Sequence, residues 1–337
     1  MSKRYTEPNL SSVLAPQMIE FIRLRNTQGK QSFGLITIFK ELDCILNYKE
    51  VDEPTITESL YYEWLQDISG CHPRTFYSKC VAFRLFCQYL CHIGFKSFVP
   101  SIPKRPKSDY TPRIFSVKEI QKIFTIVDTL ELKISHRNNC LICLPSIFRF
   151  LYYCGARVGE VMAITNEDVD FEKGVVILRE TKNRQHRLIP MNQAMKVVLS
   201  QYVWYRNKMD IKDIANPEKP FFINHEGKRI TASSIYNRFR EILSNCGIHH
   251  IGHGRGPRVH DLRHTFAVHS LHHMVETGMD IYTALPILSV LLGHSDIYAT
   301  QNYVRLTLDF HPDLLSKEYA SLANIIPELT NKHYYED

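Results

Sequence analysis

The chain has 337 residues, and Lys plus Arg exceed Asp plus Glu by 41 − 35 = 6. At about 150 residues per domain this length predicts two domains with separate cores, and a composition 44% hydrophobic and 23% charged excludes wholesale disorder and collagen-like repetition. The start, Met1-Ser2-Lys3-Arg4-Tyr5-Thr6-Glu7-Pro8, lacks the apolar core of a secretion signal, and no apolar run reaches the ~18 residues of a membrane span, so a cytoplasmic protein with no membrane partner is expected.

Apolar residues at three-to-four spacing predict helices over residues 14–26, 33–46, 57–68 and 73–93, with Ser32, Thr57 and Glu58 as helix entries. In the last of these, Phe76, Cys80, Phe83, Leu85, Phe86, Tyr89 and Leu90 are expected on the core face, with Arg74, Lys79 and Arg84 on a solvated back. Domain 1–99 is therefore helical. Pro100, Pro103, Pro106 and Pro112 then forbid a continuing helix, and Lys104, Arg105, Lys107 and Arg113 make residues 100–115 an extended basic linker. Beyond it, Ser116 caps a helix through Thr129 and a second helix covers 139–153. Residues 166–174 read as a polar connection. The period changes at Val175–Leu178 and His186–Pro190, which predict a β-hairpin with a basic tip. Helices resume at 193–207, 232–246, 260–276, 281–292 and 296–308. The fold class is α+β and mainly helical: an N-terminal helical domain, then a mixed domain at 116–310 with a small antiparallel sheet, then a tail at 311–337. The nine cysteines, mostly within apolar segments, read as reduced core thiols and not as a disulfide framework.

Arg157 stands at a helix start with Glu160 one turn along, so a guanidinium that forks onto phosphate oxygens would be oriented by a carboxylate. Alone, such a pair is most often a surface ion pair. In His260-Asp261-Leu262-Arg263-His264, the spacing of three puts His260 and Arg263 on one face, offering a titratable proton carrier and a permanent cation to one anion. A polar helix start after the cationic loop holding Arg255 and Arg258 is the competing reading. Leu291-Leu292-Gly293-His294 closes an apolar helix, and Tyr303 follows nine residues later. A tyrosine among Val304 and Leu306 is most often packing, and with a free pKa of about 10 only on the order of one in a thousand is ionised at neutral pH. The acidic run Glu167, Asp168, Asp170 and Glu172 could suggest a metal-dependent nuclease, and Cys140 with Cys143, Cys87-x3-Cys91-His92 or the loop histidines could suggest zinc. A polar connection, core thiols and a DNA-facing loop explain these better, and no metal is expected.

Arg157, the hairpin residue Lys182, His260, Arg263, His294 and Tyr303 occur in this order within one domain. With the strings CGARVGE, ETKNRQHRLIP, HDLRHTFA and LLGHSDIYATQNYV, the chain resembles the tyrosine recombinase, or phage integrase, family over residues 116–308, and in particular recombinases of mobile elements and transposons. The stretch between Arg263 and His294 is longer than the commonest family spacing. The resemblance implies a core-binding domain upstream and a site-specific recombinase that breaks and rejoins double-stranded DNA through a 3′-phosphotyrosyl intermediate. It also implies no cofactor, and a homo-oligomer, expected to be a tetramer on two DNA sites, with accessory DNA-binding factors in some systems. Arg157 and Arg263 would clamp the phosphate, with Glu160 supporting, and His294 would add a hydrogen bond. His260 would carry a proton and Tyr303 would attack. Lys182 would be the general acid, with Arg184 and Arg187 as rivals that hold their protons too tightly. Lys104, Arg105, Lys107, Arg184, Arg255 and Arg258 are the candidate DNA contacts, and the amphipathic tail is a candidate docking helix between protomers, with packing in cis on its own domain as the alternative. A type IB topoisomerase and a catalytically silent DNA-binding or architectural protein are the alternatives.

Overall fold

The structure is a computed structural model that describes residues 7–28, 33–106, 110–130, 140–179, 186–250, 256–294 and 298–311. The chain divides into two compact units, Met1–Tyr110 and Thr111–Asp337, so the division falls within the proline-rich stretch. No described helix is long and apolar enough to cross a membrane.

The first unit holds α1 (Ala15–Thr27), α2 (Phe33–Tyr48), α3 (Glu58–Asp67) and α4 (Pro73–His92). Their starts follow local chemistry. Pro16 and Pro73 occupy first-turn positions, where the missing N–H leaves no bond unmade, and the Thr57 hydroxyl accepts from the Leu60 amide at 3.3 Å. Met18, Ile22, Phe39, Trp64, Phe83, Phe86 and Leu90 fill the core. The Asp43 carboxylate accepts from the amides of Ser11 at 3.1 Å and Ser12 at 2.8 Å, tying the segment before α1 to α2. Leu85, expected on the core face, is instead 38% exposed, because two residues beyond Phe83 turns it to the far side of the helix.

The second unit opens with α5 (Val117–Asp128), entered by a capping box in which the Ser116 amide donates to Glu119 Oε2 at 2.8 Å and the Glu119 amide to Ser116 Oγ at 3.3 Å. α6 spans Leu144–Tyr153, shorter than the 139–153 expected. Pro145 belongs in a first turn, and a 3₁₀ turn at Leu141–Cys143 precedes it. α7 (Val158–Ala163) leads to a sheet of β1 (Val169–Asp170), β2 (Val175–Leu178) and β3 (Arg187–Pro190), antiparallel in chain order with Val176 opposite both Val169 and Ile189. β1 corrects the reading of 166–174 as connection only. Val169 packs on the core, and the buried Asp168 before it accepts from the Thr165 amide at 2.9 Å and from Arg179.

Then come α8 (Gln193–Arg206), α9 (Ala232–Asn245), α10 (Asp261–Glu276), α11 (Ile281–Leu292) and α12 (Tyr298–Phe310). Phe115, Phe148, Phe150, Leu199 and Phe239 lie in the main core. A second cluster joins α10, α11 and α12 around Leu271, Leu288, Leu292 and Tyr303. Thr265 on α10 accepts from the Phe115 amide at 3.1 Å, so the entry to this unit is fastened to the helix that carries Arg263. All nine cysteines are free thiols, with Cys44 and Cys91 exposed and Cys80, Cys87, Cys140, Cys143, Cys154 and Cys246 buried.

Gly155 ends α6 at φ +56°, and a Cβ there would lie 2.4 Å from the Phe266 ring on α10. Both the left-handed backbone and the close approach demand glycine. Gly155→Ala should destabilise the second unit by about 1–3 kcal/mol. Chemical denaturation followed by circular dichroism measures it, and an unchanged midpoint would show that Phe266 yields freely.

Candidate active site

Residues far apart in sequence meet where the turn after α6, the start of β3, the first half of α10 and the end of α11 converge. Arg157 is the N-cap of α7, and its amide donates to Glu160 Oε2 at 2.8 Å while its Nη1 donates to Oε1 at 2.7 Å. Arg187, the first residue of β3, donates from Nη2 to the same Glu160 Oε2 at 2.6 Å. One buried carboxylate thus holds two guanidiniums. Those cations and the Arg157 amide keep Glu160 below the usual carboxylate range although burial alone would raise it.

The end of α11 is satisfied by arginines. A helix leaves its last carbonyls without intrahelical partners, at the negative end of its dipole. Arg187 Nη1 donates to the Leu291 carbonyl, and Arg263 Nη2 donates to the Leu292 carbonyl at 2.6 Å. Arg263 Nη1 also reaches the Gly155 carbonyl at 2.5 Å. Arg263 is only 2% exposed. Burial and the charges of Arg157 and Arg187 pull its pKa down to about 10, which leaves it cationic at neutral pH. Gly293 closes α11 at φ +63°, and a Cβ there would press within 3.1 Å of the Arg187 side chain. The glycine before His294 therefore serves both the helix stop and the seat of Arg187.

Tyr303, on α12, is 4% exposed. His264 Nδ1 stands 3.0 Å from its hydroxyl, and the His294 ring lies parallel to its ring with centroids 6.1 Å apart. Burial raises the phenol pKa, and the charge of Arg263, then of Arg157, works against that rise. His294 Nδ1 is engaged with the Thr300 hydroxyl at 2.8 Å, one turn before Tyr303. Burial and the surrounding arginines, Arg263 first, push His294 down to about 4, and burial, the neighbouring His260 ring and the charge of Arg263 push His264 to about 3. Both imidazoles are neutral at pH 7, inside a positive field.

Among the residues expected from sequence, Arg157, Glu160, Arg263, His294 and Tyr303 gather here. His260 caps α10 at the surface, with its ring edge-on to His264 at 4.8 Å. Its partner on the face is thus His264, four residues on, while Arg263 points inward to the carbonyls. Arg187, weighed only as a rival general acid, is instead a buried ion-pair residue. Lys182, Arg184, Arg255 and Lys107 lie outside the described residues, as does 312–337 of the tail. Lys104 and Arg105 are exposed in extended chain, and Arg258 is exposed before α10 with its amide donating to Asp261 Oδ2 at 2.7 Å. The acidic run is taken up locally, Asp168 by Arg179 and Asp170 by Lys173 at 3.2 Å. Sequence reasoning missed Arg187, His264 and Thr300. The available signals were the opening position of the second hairpin strand, the i, i+4 spacing from His260, and the i, i+3 spacing to Tyr303.

The Phage integrase family matches residues 113–309. A putative integrase/recombinase y4rB of Sinorhizobium fredii is 30% identical over 264 residues, 75% of this chain and 81% of that protein. Tyrosine recombinase XerC of Chlamydia caviae is 29% identical over 239 residues, 70% and 68% of the two chains. Among solved structures, the Tn1549 transposon integrase in complex with a circular intermediate DNA superposes with a TM-score of 0.60 at 18% identity, covering 87% of this chain and 95% of that one, and shows the shared fold.

The depressed histidines fix a pH window. Unfolded, His264, His269 and His294 titrate near 6.5, whereas folded they do so at about 3, about 4 and about 4. The unfolded chain therefore binds more protons between these values, and stability falls as pH drops from 6.5 towards 4. His269, half-buried on α10 with Nδ1 2.9 Å from the Tyr152 hydroxyl, lies away from Tyr303. Denaturant melts between pH 7 and 4.5 should show this loss, and His269→Gln should flatten it; an unchanged slope would show that the burial of His269 contributes nothing.

Proposed function

The chain belongs to the phage integrase family and is a tyrosine-type site-specific DNA recombinase, and we propose that Tyr303 is its nucleophile, with Arg157, Arg263, His294, His260 and Lys182 as the groups that assist. The observation that carries this reading is the convergence of a buried tyrosine with two arginines and a histidine drawn from four separate elements.

Arg157 and Arg187 pair with one carboxylate, Glu160, and Arg263 stands near them unpaired to any carboxylate among the described residues, so these guanidiniums outnumber Glu160 by 3 − 1 = 2. A phosphodiester attacked in line spreads negative charge over its non-bridging oxygens, and cations already fixed in place meet that charge without reorganising. Arg157, the more open of the two clamp residues, and Arg263 would take the oxygens, and His294 Nε2 would add a hydrogen bond. Tyr303 Oη would bond to phosphorus as the bond to the 5′-oxygen breaks, giving a 3′-phosphotyrosyl ester. Lys182 would protonate the departing oxygen, and His260 would carry the proton released at the tyrosine end. The ester preserves the phosphodiester bond energy, so rejoining requires no nucleotide. The relatives named as integrase and recombinase support recombination of a mobile element; the reading adds integration or excision by a tetramer on two sites, in the cytoplasm, with Lys104, Arg105, Lys107, Arg184, Arg255 and Arg258 on the DNA backbone. The same reading assigns 1–99 to core binding, 116–310 to catalysis and the tail to docking between protomers.

The test begins with a recognition sequence selected from a pool of random duplexes, built into a nicked suicide half-site. Tyr303→Phe should bind it as the wild type does and form no covalent adduct, and adduct at the wild-type rate would remove the assignment. Arg263→Ala should slow adduct formation by on the order of 10³-fold or more, by analogy with catalytic arginines of phosphoryl transfer.

Lys182→Ala should stall on ordinary DNA and recover when sulfur replaces the 5′-oxygen, since a thiolate leaves without a proton. Failure of sulfur to rescue it would place the general acid elsewhere, with His260 next to be tested.

A further inference from the structure

The phenol that the proposed function makes the nucleophile has two imidazoles against it, and they are not equivalent. His294 lies parallel to the Tyr303 ring and uses Nδ1 on the Thr300 hydroxyl at 2.8 Å, which leaves Nε2 for a substrate phosphate. His264 instead directs Nδ1 at the phenol oxygen itself, at 3.0 Å, with ring centroids 5.7 Å apart. We propose that His264 is a positioning residue, whose Nδ1 accepts the hydrogen bond of the Tyr303 phenol and so fixes where the lone pairs of Oη point. The inference rests on Tyr303 being the nucleophile.

The physical case has three parts. A buried hydroxyl needs a partner, and a neutral ring nitrogen is a better acceptor for an acidic phenol proton than any carbonyl already engaged by an arginine. With the proton held at Nδ1, the lone pairs of Oη are turned away from His264, and rotation about the C–O bond is suppressed. An in-line attack succeeds only from a narrow range of approach, so fixing that rotation acts on the rate without adding affinity for DNA. The setting also keeps His264 in the accepting form. Burial comes first, and then His260, against its ring edge at 4.8 Å, and the charge of Arg263, next to it on α10, disfavour an imidazolium there. A protonated His264 would carry a proton on Nδ1 and could only donate, reversing the geometry.

Three variants on the same nicked half-site test this. His264→Leu keeps the apolar volume and removes the acceptor. His264→Asn restores an amide oxygen near the place of Nδ1. Adduct formation by His264→Leu at saturating enzyme should fall about 10- to 100-fold with half-site affinity unchanged, and His264→Asn should recover most of the rate. If His264→Leu does not unfold cooperatively, His264→Ala takes its place in the comparison. A leucine or alanine variant that reacts at the wild-type rate would overturn the inference, as would an asparagine variant no faster than they are. Tyr303→Phe, run in parallel, separates the two levels. Adduct from Tyr303→Phe would remove the nucleophile assignment itself, whereas a silent Tyr303→Phe with a fully active His264→Leu would remove only the role of His264.

Discussion

The guanidinium of Arg263 is the bolt through this site. It is buried, bears a full charge at neutral pH, and donates to the carbonyl of Leu292, the last residue of α11, and to that of Gly155 in the turn after α6. A charge so far from water is tolerated only where fixed dipoles replace the lost hydration. Helix C-termini supply them, because their last carbonyls lack partners and lie at the negative end of the helix dipole. The need is mutual. The end of α11 must be satisfied, and Arg263 must have acceptors. Once both are met, the turn that carries Arg157 and the corner that carries His294 are held to α10 at defined distances.

Glu160 does the complementary work. By binding both Arg157 and Arg187 it holds two cations near a third, an arrangement that would otherwise repel itself. The balance remains positive and, after burial, helps to suppress the charged forms of His294 and His264. A site in this condition is short of an anion. Arg187 also gives the small sheet a purpose beyond packing, since β3 begins at the residue that caps α11 and pairs with Glu160.

Tyr303 enters this environment as a neutral phenol. Burial opposes its ionisation while Arg263 favours it. The proposed nucleophile is thus held by contacts made within the protein itself.

Much of this was legible in the sequence. The helical periodicities, the Ser116 capping box and the alternation in the hairpin strands depend on neighbours within a few residues, so the residues themselves determine them. The order Arg157, Lys182, His260, Arg263, His294 and Tyr303 named the chemistry for the same reason: residue types and spacings are local information. The tertiary structure decided which neighbours these residues have. Only packing brings the carbonyls of residues 155 and 292 to Arg263, gives Arg187 to Glu160 across 27 residues, and turns His264 towards a tyrosine 39 residues away. β1, too short to show a period, forms because β2 is beside it. Contacts over such distances have no signature in a single chain of letters, because the stacking of whole helices fixes them and the order of adjacent residues does not.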